Sequence, residues 1–314
     1  MTKEIKPIVV VGGCNFDIYA TSAWSLLESD SNPGSVTTSP GGVGRNIAEN
    51  LARLQQPTVM LSALGDDAFA QAIRNNAASC GLDLSRVLVL PHFSTSIYVC
   101  INKPDGDIAV AVSDMGICEQ ISPDYLSGCS EVLEEAHCVV ADANLSEEAL
   151  YHLASHYGFK LFVDSVSATK VTKLSPILPH LYCLKANRSE VSALSGVETH
   201  SLEDVRRAAH ILHQSGVKLV IVTLGEDGAY LCDGESEAVM PLMHGETLNT
   251  SGCGDAFFAG VIAAFSHPVD IKLLLRNGLA MSRICAASDG AVSSQLSPQL
   301  LQEILTRYQG GAWL

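Results

Sequence analysis

The 314-residue chain is short of positive charge, has no long apolar run, and carries neither a Cys-x-x-Cys pair nor a His-Glu-x-x-His segment. Lys and Arg number 19 against 34 Asp and Glu, a formal net charge of −15, so the average surface repels phosphate backbones and anionic lipid. Nucleic-acid and membrane partners are not expected. Nothing approaches the roughly 20 uninterrupted apolar residues that cross a bilayer. The apolar runs, such as Ile8–Val11, have strand length, and the opening Met-Thr-Lys-Glu-Ile-Lys-Pro lacks the apolar core of a signal peptide, so a cytoplasmic protein is expected. Without Cys-x-x-Cys spacing, and in a chain too large to need a disulfide framework, the ten cysteines read as reduced, mostly buried thiols. His152/His156 and His210/His213 fall at helical spacing without the acid of a zinc site, so no metal is assigned to them. What is present, 47% hydrophobic and 17% charged residues, is the balance of a folded enzyme-like domain rather than of a disordered segment.

Pro7–Val11 reads as a buried strand ending in Gly12-Gly13, and Gly41-Gly42-Val43-Gly44 opens a helix over Arg45–Gln55, where Ile47, Leu51 and Leu54 recur at i, i+4, i+7. A strand Val59–Leu64 and a helix Asp67–Cys80 follow. Extended runs come next at Val87–Leu90, Ser96–Asn102 and Asp107–Ser113, the last two joined by the turn Lys-Pro-Asp-Gly. From Ile121 the pattern alternates: strand Cys138–Ala141, helix Ser146–Tyr157, strand Leu161–Asp164, helix, strand Tyr182–Lys185, two helices, strand Leu219–Leu224. A hairpin near Ala229–Met240 and helices at Gly252–Phe265, Ile271–Ser288 and Pro298–Tyr308 complete it. Alternation of this kind implies a mostly parallel sheet covered on both faces. The expectation is one domain over 1–314, an α/β sandwich, with segments of about 16–40 and 92–115 pairing into a small β-sheet lid over the carboxyl edge, where ligands of open α/β sheets bind.

The strongest chemical signal is Asn249-Thr250-Ser251-Gly252-Cys253-Gly254-Asp255, running straight into the apolar helix Ala256–Phe265. Glycines at a helix N-terminus leave amides unobstructed at the positive end of the dipole, a place for an anion. A carboxylate there makes sense if Asp255 accepts a proton from a hydroxyl that attacks phosphorus. The bland alternative is an acidic first turn complementing the dipole. The turn Gly41–Gly44 lacks the Gly-x-Gly-x-x-Gly spacing of a dinucleotide fold, which sets a dehydrogenase aside.

Gly252-Cys253-Gly254-Asp255 resembles the Gly-Ala-Gly-Asp signature of the ribokinase/PfkB carbohydrate kinases, and Gly41-Gly42-Val43-Gly44-Arg45-Asn46-Ile47-Ala48 resembles that family's Gly-Gly-x-x-x-Asn-x-Ala. Gly12–Asp17, Lys185–Glu190 and Thr223–Gly228 fall between and around them in the family's order, so the resemblance covers essentially the whole chain. It implies a ribokinase-like three-layer α/β/α sandwich. It further implies ATP and Mg2+, with Asp255 as base and the amides of Gly252, Cys253 and Gly254 as the anion hole. Lys185, Asn187, Thr223, Gly225 and Gly228, with Gly252 and Gly254, would line the ATP site, and Asn187 with Glu190 would place Mg2+ largely through water. Read alone, Asn187 and Glu190 are equally an N-cap and a first-turn acid, and Thr-x-Gly-x-x-Gly is an ordinary turn. The acceptor would meet Asn15, Asp17, Gly41, Gly42 and Asn46, with Asp17 suited to a vicinal diol.

Within the family, Asp30–Gly34, Pro40–Ala48, Asp114-Met115, Ala141-Asp142, Asn144–Leu150, Val163-Asp164 and Val166–Ala168 resemble the branch that phosphorylates the 5′-hydroxyl of the C-nucleoside pseudouridine. On that reading Thr95, Ser96 and Asp114 join the acceptor site, and Tyr98 shares their strand. Alternation on a solvent-facing sheet accounts for Thr95, Ser96 and Tyr98 as well. Other acceptors, such as ribose or adenosine, and a silent nucleoside sensor on the same fold are the competing readings; the intact Asp255 and its glycines oppose the last. Asn249 stands where the family has Asp, which leaves K+ dependence open, and Cys253 stands for Ala, placing a thiol at a helix N-terminus. Unpaired lid edges suggest a homodimer joined through the lid.

Overall fold

The computed structural model describes residues 6–105 and 107–308; Gly106, which closes the expected hairpin turn, lies outside them. The strands and helices open with β1 (Ile8–Val11), β2 (Asn15–Ser22), β3 (Gly34–Gly41), α1 (Val43–Arg53), β4 (Thr58–Leu61), β5 (Ala63–Leu64), α2 (Ala68–Cys80), β6 (Leu88–Val89), β7 (Ser96–Asn102) and β8 (Ile108–Asp114). They continue with α3 (Pro123–Gly128), α4 (Ser130–Glu135), β9 (Cys138–Asp142), α5 (Glu147–Tyr157), β10 (Leu161–Asp164), β11 (Cys183–Asn187), α6 (Arg188–Ser195) and α7 (Leu202–Gln214). The last are β12 (Leu219–Thr223), β13 (Ala229–Cys232), β14 (Glu237–Met240), α8 (Cys253–Ala264), α9 (Ile271–Ala286) and α10 (Pro298–Arg307).

Eight strands form the central sheet in the order β14-β13-β12-β11-β10-β9-β1-β4, parallel from β12 to β4 and closed at the other edge by the antiparallel β13 and β14. Side chains alternate across a strand, and here they feed two cores. Val9, Val139, Val163 and Leu184 pack with Leu150, Leu153, Val205 and Ala208 of α5 and α7. Val10, Val140, Phe162 and Cys183 pack on the opposite face with Ile47, Ile73, Phe258 and Leu279 of α1, α2, α8 and α9. The near-continuous apolar runs are thus buried on both sides, which makes the three layers a consequence of the sequence pattern. Among the described residues no helix is long and apolar enough to cross a membrane.

A second sheet, in the order β3-β2-β7-β8, is built from the early extended segments as expected. Because β2 follows β1 after only Gly12-Gly13-Cys14, this small sheet springs from the carboxyl edge of the large one. Two local expectations fail for visible reasons. The helix predicted between Asp164 and Tyr182 is a 3-10 stretch, Val171–His180, because Pro176 and Pro179 remove amide donors. The strand predicted over Val59–Leu64 splits at Ser62, whose hydroxyl donates to the Gly12 carbonyl at 2.7 Å.

Candidate active site

Three neighbouring parallel strands carry charged residues at or near their carboxyl ends. In the register of β9, β10 and β11, Asp164 lies opposite Asp142 on one side and Lys185 on the other, so the three side chains rise from the same face in a row. Lys185 Nζ donates to Asp164 Oδ2 at 2.9 Å, and both groups are buried. The N-terminus of α8 comes down on this row: a Cβ added at Gly254 would stand 3.0 Å from Lys185 Nζ. Asp255, in the first turn of α8, accepts a 2.8 Å hydrogen bond from Asn46 Nδ2 of α1. The two glycine motifs from opposite ends of the sequence therefore meet at one carboxylate. Arg45 sets the direction of that contact, since its Nη1 donates to Asn46 Oδ1 at 2.9 Å and leaves the amide nitrogen to face Asp255. Burial pushes the Asp255 carboxyl up to about 7, helped by the negative charge of Asp164 and opposed by Lys185 and Asn46.

Gly252 caps α8 at φ +76, and a side chain there would meet the Ala291 carbonyl at 2.1 Å, so only glycine fits. Of the three amides expected to hold an anion, that of Cys253 donates to the Thr250 carbonyl at 3.3 Å. Gly254 and Asp255 head the helix, where amides have no intrahelical acceptor. Next to them lies a cleft of about 390 Å³ lined by Asn187, Thr223, Gly225, Gly228, Cys253 and Gly254, within the size range of small-molecule sites. Its apolar wall, which includes Leu242, Met243, Phe257 and Leu279, was not among the expected site residues. The signal was present: Leu279, Ser282, Arg283 and Ala286 recur at i, i+3, i+4, i+7 on α9, but that stripe reads as ordinary core packing. Lys185 lies beneath the α8 N-terminus rather than in the lining of this cleft.

Asn187 and Glu190 form a reciprocal capping box on α6. Glu190 Oε2 accepts from Ser165 Oγ at 2.6 Å and from the Asn187 amide at 2.8 Å, and Oε1 accepts from Asn187 Nδ2 at 2.7 Å. The N-cap reading of this pair is thus realised, and Asn187 faces the cleft as well.

On the acceptor side, Asn15 Nδ2 donates to Asp17 Oδ1 at 2.6 Å and the Tyr19 hydroxyl reaches Asp17 Oδ2 at 3.3 Å. Gly41 lies against that carboxylate, where a Cβ would come within 2.2 Å, and Gly42 sits at φ +98 with no space for a side chain beside Asn15 Oδ1. Among the described residues Asn15 Oδ1 is buried with no hydrogen-bond partner, which suits a site waiting for a donor such as a sugar hydroxyl. Asn15, Asp17, Gly41, Gly42 and Asn46 are therefore brought together. Thr95 and Ser96 are engaged elsewhere. The Thr95 hydroxyl donates to Asp67 and accepts from the Gly65 amide, the Ser96 hydroxyl faces Cys118 Sγ, and each residue is 1% exposed. Asp114 ends β8 on the surface and accepts from the Gly116 amide at 3.4 Å.

Fold and site together are those of a small-molecule phosphotransferase, and comparison with known proteins agrees. Residues 6–298 match the model of the pfkB family carbohydrate kinases, and the chain belongs to that family. It is a sugar or nucleoside kinase of ribokinase-like fold. It is 38% identical to the pseudouridine kinase of Escherichia coli K12 over 266 residues, 84% of this chain and 85% of that one. An uncharacterized sugar kinase of the same bacterium, YeiI, is 34% identical over 94% of this chain and 82% of its own length. The structure of Arabidopsis thaliana ribokinase complexed with ribose and ATP superposes with a TM-score of 0.86 at 25% identity, covering 96% of this chain and 98% of that one.

Proposed function

We propose that this protein transfers the γ-phosphoryl group of ATP to the 5′-hydroxyl of pseudouridine, giving pseudouridine 5′-phosphate and ADP. The observation that carries the chemistry is Asp255 itself, a carboxylate raised to about 7 and held by Asn46 at the head of α8, between the diol-binding Asp17 side and the cleft. A base poised near neutral pH takes a hydroxyl proton efficiently. As the acceptor oxygen bonds to the γ-phosphorus and the bond to ADP breaks, the proton passes to Asp255, while the α8 amides and Lys185 counter charge on the transferred group. The apolar wall of Leu242, Met243, Phe257 and Leu279 suits an adenine ring.

Among the described residues no group of three His, Cys, Asp or Glu side chains could hold a metal unaided. Mg2+ fits as an ion carried on the nucleotide phosphates, with Asn187, which lines the cleft, as the residue that would hold its waters and the buried Glu190 as the group that orients Asn187. When bound it neutralises phosphate charge. The choice of pseudouridine over another nucleoside or sugar rests on the 38% identity to a pseudouridine kinase and on the matching segments around residues 30–48 and 141–150. In this reading the chain is one domain, the small sheet is a lid, and its exposed Val36, Ile108, Val110 and Val112 join two copies. The test is ADP release with MgATP on pseudouridine, uridine, ribose and adenosine at equal concentration. Preference for pseudouridine is expected. Preference for another acceptor overturns the substrate assignment but keeps the chemistry, and no turnover on any of them favours a silent sensor.

A further inference from the structure

The carboxylate of Asp142 is given no contact with acceptor or nucleotide above and only adds, as the smallest contribution, to the rise of the Asp255 carboxyl, yet it is fully buried and takes hydrogen bonds from three separate stretches of backbone. Its Oδ2 accepts from the amides of Gly13 at 2.9 Å and Gly44 at 2.8 Å, and its Oδ1 accepts from the Asn144 amide at 2.8 Å. Gly13 belongs to the turn that launches β2 with Asn15 and Asp17, whereas Gly44 is in the first turn of α1, two residues before Asn46. The glycines around it are there for this contact: a Cβ at Gly12 would lie 2.4 Å from Asp142 Oδ2, and one at Gly44 would lie 2.9 Å from it. The two stretches are further tied to each other, since the Arg45 amide donates to the Gly13 carbonyl at 3.1 Å. One side chain at the end of β9 thereby fixes the strand that holds the diol-binding carboxylate relative to the helix that holds Asn46, and through Asn46 fixes Asp255.

We infer that Asp142 is a positioning residue for phosphoryl transfer, aligning the acceptor-binding strand β2 with the Asn46–Asp255 pair while leaving the ATP cleft alone. Burial raises the Asp142 carboxyl and its three amide donors oppose that rise, so the amides hold the group most strongly in its ionised form, where hydrogen bonds are shorter and stronger than neutral ones. Losing it would displace the acceptor hydroxyl relative to the base, and a misplacement of about 1 Å is enough to cost on the order of a hundredfold in rate. The ATP side is built on β11, β12, α8 and α9 and does not touch this carboxylate.

The inference rests on the kinase reading but not on the identity of the acceptor, and its test is designed to separate the two. Two variants are compared with the wild type. Asp142→Asn turns an acceptor into a donor facing amide donors, and Gly44→Ala pushes the carboxylate off its amides without changing charge. With whichever acceptor the wild type phosphorylates, kcat/KM for the acceptor is expected to fall at least about tenfold in both variants, with KM for ATP within about twofold. Amide hydrogen exchange, read without any substrate, is expected to speed up at Gly13 in both variants and at Gly44 in Asp142→Asn, while the strands β11 and β12 keep their protection. That readout stands even if no acceptor is turned over, an outcome that would defeat the functional proposal alone. Acceptor kcat/KM within about threefold of wild type in both variants, equal losses toward ATP and acceptor, or exchange unchanged at Gly13 in both variants and at Gly44 in Asp142→Asn would overturn the assignment.

Discussion

Replacing Asp255 by Asn should abolish turnover and at the same time stabilise the protein, a combination that few other substitutions would give. The variant keeps an oxygen to accept from Asn46 but cannot take a proton, so kcat should fall by about 10²–10⁴, the usual worth of a general base. The gain in stability follows from the raised carboxyl. Its value moves from 3.8 to about 7, with burial the main cause. At about 1.4 kcal/mol per unit this is at most about 4 kcal/mol of penalty on the ionised form. The side chain is only partly buried and Lys185 is close, so about 2 kcal/mol is the better figure. The sign is fixed by linkage. A carboxyl raised in the folded state holds its proton more tightly there, so its contribution to stability is intact below about pH 4 and is lost as pH rises through about 7. The melting temperature of Asp255→Asn should therefore match wild type near pH 4 and exceed it by on the order of 4 °C at about pH 8. Thermal melts across that range, paired with ADP-release assays, check both halves. The same titration should appear in wild-type kcat/KM as an acid limb near 7, activity falling as the base is protonated. A variant keeping more than about a tenth of wild-type kcat would refute the base assignment. A stability difference that does not change with pH would refute the raised carboxyl.

Asp17→Ala should act on binding. Removing the group that Asn15 and Tyr19 orient should weaken acceptor affinity at least about tenfold in titration calorimetry and leave ATP affinity unchanged; equal acceptor affinity would remove Asp17 from the site. Oxidation should act on the cleft. A hydrogen bond with Cys285 draws the Cys253 thiol below its ordinary value, and Cys253 lines the cleft proposed for ATP. Attack of its thiolate on hydrogen peroxide, with loss of hydroxide to leave a sulfenic acid, should lower activity, more slowly in the presence of ATP and reversibly with thiol. Cys253→Ala should resist the treatment, and wild-type activity untouched by peroxide would sink the idea.

Elements and motifs that lie within one stretch of chain were legible from the sequence, and relations set by strand order were not. Residues 252–255 announce a helix N-terminus with an acid because glycine, dipole and apolar period sit side by side. The small sheet is readable because Ser96–Asn102 and Ile108–Asp114 are short runs rich in β-branched residues, of strand length and bounded by turn residues. Asp142 and Lys185 acquire their roles only because β9 lies beside β1 and β10 beside β11, a strand order that no local pattern encodes. Asp142 reaches residues 129 and 98 positions away, and its neighbours in sequence give no hint of them. Thr95 shows the converse case. Its hydroxyl suits a ligand on paper, but Asp67, 28 residues earlier, caps α2 with one carboxylate and takes that hydroxyl and the Thr95 amide with the same group. A polar group whose bonding capacity is used up inside the fold has none left for a ligand: the Thr95 hydroxyl both donates and accepts there, whereas among the described residues Asn15 Oδ1 is buried without a partner. On that ground the proposed acceptor pocket is built on Asn15, Asp17, Gly41, Gly42 and Asn46 rather than on the strand above them.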